Sequence, residues 1–143
     1  VEGAAHRAEQ YLRKAVAERP DDPVLLAALG FVEQKHGREK EARELYERAL
    51  QIDPLANEAA TDLGILEARS GNLRRAVELW QGPFKRAPYR SAIGMNLAMA
   101  FCAAGQKQAA QKYVQQVLEF NPDYLKGKQL LAHLKEEPGQ CQP

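Results

Sequence analysis

Apolar and polar positions along this chain follow the period of amphipathic helices, and the pattern itself repeats. Prolines fall at Pro20, Pro54, Pro88 and Pro122, alanines at Ala8, Ala42, Ala76 and Ala110, and glycines at Gly37, Gly71 and Gly105, each step being 34 residues. The same register aligns Leu29, Leu63 and Leu97, each followed by a small residue, Gly30, Gly64 or Ala98. Each period predicts two helices, the first from about Pro23 to His36 and the second from about Glu39 to Ile52.

The boundaries have physical signatures. Gly37, Gly71 and Gly105 stand where a left-handed helix end needs a residue without a Cβ. Asp22-Pro23 supplies an N-cap and a proline tolerated in the first turn, and Ser91 is expected to cap the last full repeat. Proline after the second helix disfavours α geometry in the residue before it. These signals expect full repeats at 23–56, 57–90 and 91–124, a lone second-type helix in 1–22, a capping helix over 125–134 and a disordered tail over 135–143. A repeat that starts halfway suggests a segment of a longer polypeptide that continues upstream.

On these residues the chain resembles the tetratricopeptide repeat (TPR) family. Leu29-Gly30, Ala42, Tyr46, Ala49 and Pro54 stand at the family's repeat positions 7, 8, 20, 24, 27 and 32. The resemblance covers residues 1 to about 134 and implies an all-α fold, a right-handed α-solenoid of antiparallel helix pairs. Departures are specific. Position 27 is Pro83 in the third repeat, where a helix-interior proline loses a donor and strikes the carbonyl of Leu79, at a cost of about 3 kcal/mol. With Gly82 before it, the helix Leu73 to Ala87 is expected to kink or turn there. Position 11, often Tyr in the family, is Glu33, Glu67 and Phe101. Tyr46, Trp80 and Phe84 are expected in the core between repeats.

Composition and charge then narrow the function. Twenty Lys and Arg against 19 Asp and Glu leave a formal charge of +1. Residues 57–90 carry six cations against four carboxylates and residues 23–56 five against six, far from the basic stripe that binds nucleic acid. No apolar run approaches the roughly 20 residues that span a bilayer, and no basic-then-apolar leader opens the chain. Cys102 and Cys141 form no metal-ligand spacing and no disulfide framework. His6, His36 and His133 fall at unrelated repeat positions, and His36 reads as a cation at a helix end. With no nucleophile, metal or phosphate motif, neither enzymatic activity nor a cofactor is expected. The compartment is left open.

The resemblance implies a concave groove lined by positions 2, 5, 9, 12 and 13 of each repeat. Here these are Val24, Ala27, Phe31, Gln34 and Lys35; Glu58, Thr61, Ile65, Ala68 and Arg69; and Ala92, Met95, Met99, Cys102 and Ala103, with Asn96 beside them. Phe31, Ile65 and the two methionines make an apolar stripe, and Lys35 and Arg69 add cations, so a peptide with apolar anchors and an acidic group is the ligand this lining suggests. Met95 and Met99 also fit ordinary core packing. Some TPR proteins clamp a peptide's terminal carboxylate. The equivalent positions here are Ala27, Phe31, Asp62, Ala92 and Asn96, or Thr61, Ile65, Asn96, Lys126 and Leu130; Asn96 and Lys126 alone match, and Asp62 would repel the ligand. The expected function is a non-enzymatic protein-interaction scaffold. Alternatives are a homo-oligomerisation segment, associating as a homodimer through its open N-terminal end or its groove, and a regulatory module of a fused upstream domain.

Overall fold

A computed structural model describes residues 2–136, as eight α-helices without strands. They are α1 Glu2–Glu18, α2 Pro23–Lys35, α3 Glu39–Ile52, α4 Asn57–Arg69, α5 Leu73–Arg86, α6 Ser91–Ala103, α7 Lys107–Phe120 and α8 Leu125–Glu136. The chain forms two compact units, Val1–Leu66 and Glu67–Pro143. In the first, α2 packs against both α1 and α3. In the second, α6 packs against α5 and α7, and α7 against α8.

The helix ends follow backbone rules. Gly37, Gly71 and Gly105 have φ of +76°, +83° and +74°, and no side chain would meet a Cβ built on any of them. Asp22 caps α2 by accepting from the Val24 and Leu25 amides at 3.0 and 3.2 Å. Ser91 does not cap α6: Arg90 occupies the cap position without a side-chain bond, and Ser91 is already helical.

The period-34 alanines Ala42, Ala76 and Ala110 are fully buried, while Ala8 is exposed. Tyr46, Trp80 and Phe84 are buried as expected. The small position 8 has a direct cause. A Cβ on Gly30 would lie 2.7 Å from the Tyr46 ring; at position 4 of the last full repeat, one on Gly94 would lie 2.3 Å from Val117 Cγ2. Leu26, Leu63, Leu66, Ile93, Leu97, Val114 and Val117 have almost no exposure, and burying such a side chain contributes about 1.5–3 kcal/mol.

Helix α5 continues through Pro83 to Arg86, so of the expected kink or turn the turn is not formed. Pro83 falls in its last turn, so the lost bond to the Leu79 carbonyl comes where the ladder is about to end, and the ring fills the buried place held by Ala49 and Val117 elsewhere. Helix α8 runs to Glu136, past the expected boundary at 134. Of the expected tail, residues 137–143 lie outside the described residues.

Candidate interaction surfaces

In the first unit, Val24, Ala27, Phe31 and Glu58 line one open pocket of about 650 Å3 together with Leu12, Leu55, Asp53 and Asp62. Helix α2 positions the first three at steps of three and four residues, which places them on one face. Val24 is 75% and Phe31 45% exposed, whereas Ala27 is buried. Lys35 is outside the lining; its Nζ stands 5.1 Å above the Phe31 ring centre, a cation–π contact. Gln34 is also outside it and accepts the Tyr46 hydroxyl at 2.9 Å. Burial raises the Tyr46 pKa far above the usual phenol value, and the charge of Asp62, which is hydrogen-bonded to it, adds to the effect. Thr61 is half-buried and donates to the Asn57 carbonyl at 2.7 Å, and Ile65 is half-buried as well.

The same unit holds an ionic cluster. Glu33 is buried on α2 and bound by Arg13 of α1 and by Arg38 before α3. Glu9 of α1 meets Arg13 at 2.9 Å, Arg38 at 2.8 Å and His36 Nδ1 at 3.0 Å. The Arg13 hydrogen bond, reinforced by Arg38, holds the Glu9 carboxyl below its usual range. The Glu33 hydrogen bond, with Glu9 adding, raises Arg38. His36 does end α2, as expected, but it also reaches α1. The cluster ties α1 and α2 to the start of α3, and its Arg13 and Glu33 line a concavity of about 300 Å3 with Glu41, Glu44 and Arg48.

In the second unit, Ala92, Met95, Asn96 and Met99 of α6 line a pocket of about 480 Å3 with Tyr124 and with Lys126, Gln129 and Leu130 of α8. Met95 is 9% exposed and Met99 41%. One methionine is thus core and its neighbour one turn on is surface. Cys102 is buried, which takes it out of a groove surface; the other cysteine, Cys141, lies outside the described residues. Ala68 is half-buried and Arg69 exposed, in the last turn of α4, and Ala103 is exposed at the end of α6; none of the three lines this pocket. On the second-helix side, Phe84, Lys85, Lys112 and Tyr113 line a further concavity of about 570 Å3, where Tyr113 stacks on Phe101 at 5.3 Å.

Residues 2–63 match the family model described as tetratricopeptide repeat. Residues 2–63 carry tetratricopeptide repeat sequence. Solved structures similar to it include MamA of Desulfovibrio magneticus RS-1 (19% identity, 94% of this chain and 76% of that one, TM-score 0.81). PilF of Pseudomonas aeruginosa aligns at 24% identity over 93% of this chain and 61% of its own, with a TM-score of 0.82. A tetratricopeptide repeat protein of Parabacteroides merdae ATCC 43184 aligns at 19% identity over 94% and 54%, again with a TM-score of 0.82. At these identities the likeness establishes the fold, an all-α helical-repeat solenoid. No curated protein sequence matches the chain. TPR folds are typical of protein–protein interaction scaffolds and are generally not enzymes.

Continued into α8, the 34-residue register puts Lys126 and Gln129 at positions 2 and 5. The register reaches Lys126 and Leu130 as clamp-equivalent positions, but groove positions carried only as far as Ala103 leave out Gln129 and Tyr124. Asp53 and Leu55 were missed for a different reason: they lie between the lining positions that the family resemblance supplies, whereas Asp62 is named there only as a group that would repel a carboxylate. Among the described residues no helix is long and apolar enough to cross a membrane.

Proposed function

We propose that the chain is a non-enzymatic interaction module that takes segments of partner proteins into the pockets on its first-helix faces. The observation carrying this reading is the placement of large exposed apolar side chains inside open concavities: Val24, Phe31 and Leu55 in one unit and Met99 in the other. Both volumes fall in the range of roughly 300–1,000 Å3 common for binding sites. In the first unit, Asp53, Glu58 and Asp62 in the lining favour a basic group beside the apolar anchor. That differs from the acidic ligand suggested by Lys35, which lies over Phe31 instead.

The test is a displayed peptide library selected against the chain, followed by Phe31→Asp and Met99→Asp with circular dichroism on each variant. Selected peptides that lose binding to one variant while helicity is unchanged support the reading. Peptides indifferent to both substitutions refute it. A molar mass in light scattering that rises with concentration, and falls back in either variant, would assign the surface to a second copy.

A further inference from the structure

We infer that the pocket between α6 and α8 selects a partner segment that pairs an acidic side chain with an apolar one. This rests on the reading of that pocket as a binding surface and adds the chemistry of what it takes.

The floor is apolar and adaptable, because Met95 is buried beneath and Met99 stands exposed beside Leu130. Thioether side chains are unbranched and polarisable, and they accommodate leucine, methionine or phenylalanine without a fixed shape. The rim is polar and contains no carboxylate. Lys126 supplies the one charge in the lining, and Asn96, Gln129 and the Tyr124 hydroxyl supply hydrogen-bonding groups around it. Lys126 is exposed and makes no ion pair among the described residues. The acidic neighbour in sequence, Asp123, is held by Lys128 at 3.0 Å.

The wider charge distribution points the same way. Helix α6 has no charged residue, and no Asp or Glu occurs between Glu78 and Glu119, whereas Lys85, Arg86, Arg90, Lys107 and Lys112 do. From Glu67 onward the chain has eleven Lys and Arg against six Asp and Glu. A positive field over an apolar floor attracts acidic segments and disfavours basic ones before contact is made. The apolar anchor then distinguishes an acidic peptide from any other anion.

Met95 and Met99 are the two methionines of the chain. Labelling methionine methyls with 13C therefore gives a two-resonance spectrum reporting on this pocket alone. The probes are three peptides, acetylated and amidated to remove terminal charges: alternating Leu and Glu, alternating Leu and Lys, and alternating Ser and Glu. The Leu–Glu peptide is expected to shift the Met99 methyl saturably and to bind roughly fivefold or more tightly than the Leu–Lys peptide. Lys126→Glu should reverse that order, and Lys128→Glu should leave it unchanged. Equal binding of Leu–Glu and Leu–Lys would overturn the acidic preference while leaving the pocket reading intact. Equal binding of Ser–Glu and Leu–Glu, or equal weakening by the two lysine variants, would reduce it to diffuse charge attraction and overturn it. If no peptide moves either methyl, the pocket reading itself falls.

Discussion

Replacing Gly94 by alanine tests how closely α6 approaches its neighbours. The added Cβ would stand 2.3 Å from Val117 Cγ2, 2.7 Å from Phe84 Cε2 and 2.9 Å from Phe84 Cζ. Carbon atoms reach their optimum at about 3.5–4.0 Å, so relief requires a displacement of roughly 1.2 Å against Val117 alone. Val117 has no exposure and a stiff β-branched χ1, and Phe84 is buried, so neither can swing aside into solvent. Overpacking of this kind costs about 1–3 kcal/mol, and the short contact puts this case at the upper end. Alanine recovers about 1 kcal/mol of helix propensity over glycine, leaving a net loss of about 2 kcal/mol. Urea unfolding followed by circular dichroism measures it, and the melting temperature should fall by about 4–8 °C. Adding Val117→Ala to the variant should cost at least ~1 kcal/mol less than Val117→Ala in the parent chain, because the cavity admits the new methyl. A Gly94→Ala chain as stable as the parent, or a double variant that is simply additive, would refute the proposed contact.

Three other outcomes follow from the described geometry. Gly37→Ala forces a Cβ into φ +76° and should cost about 1–2 kcal/mol in the same urea experiment, with Gly37→Asn losing less. The Glu9 carboxyl is held below its ordinary value of 4.5, so its stabilising effect is present above that pH and is lost as pH falls through the lowered value. Hydrogen exchange in α1 should therefore accelerate on acidification below about pH 4.5, and Arg13→Met should flatten that dependence; an unchanged profile would remove the Arg13–Glu9 contact from the account. Tyr46 has a raised pKa, so its share of stability is complete below the ordinary phenol value of 10.0 and is lost as pH rises above it. Alkaline unfolding monitored by tyrosine absorbance should shift to higher pH in Tyr46→Phe, and an unshifted transition would contradict the buried, neutral phenol.

The features most legible in the sequence are those that the backbone itself demands. Gly37, Gly71 and Gly105 must accept a positive φ, and Asp22-Pro23 offers both a cap and a fixed torsion, so turns and helix starts could be read one residue at a time. Side-chain facing is harder. Met95 and Met99 lie on the same helix face by spacing, yet one is covered and the other open, because burial depends on the neighbouring helix rather than on α6. Glu33 shows the same limit. It stood out at position 11, and Arg38 is five residues on, but its other partner, Arg13, is 20 residues away on another helix, and no local pattern connects those two. Pro83 shows the reverse: a strong local rule predicted a break, and a place in the final turn together with a buried ring position made the helix tolerant of it.

The three glycine turns reach nearly the same φ, and a Cβ on any of the glycines would meet nothing within 4 Å. A left-handed glycine and the same pair of backbone hydrogen bonds, from the glycine and from the residue after it, recur in each. Each joint is therefore modular in the evolutionary sense: a gene duplication or deletion in steps of 34 residues would bring its own hinge with it. The surfaces beside the joints are then free to diverge, as the acid-lined pocket of one unit and the lysine-bearing pocket of the other have done.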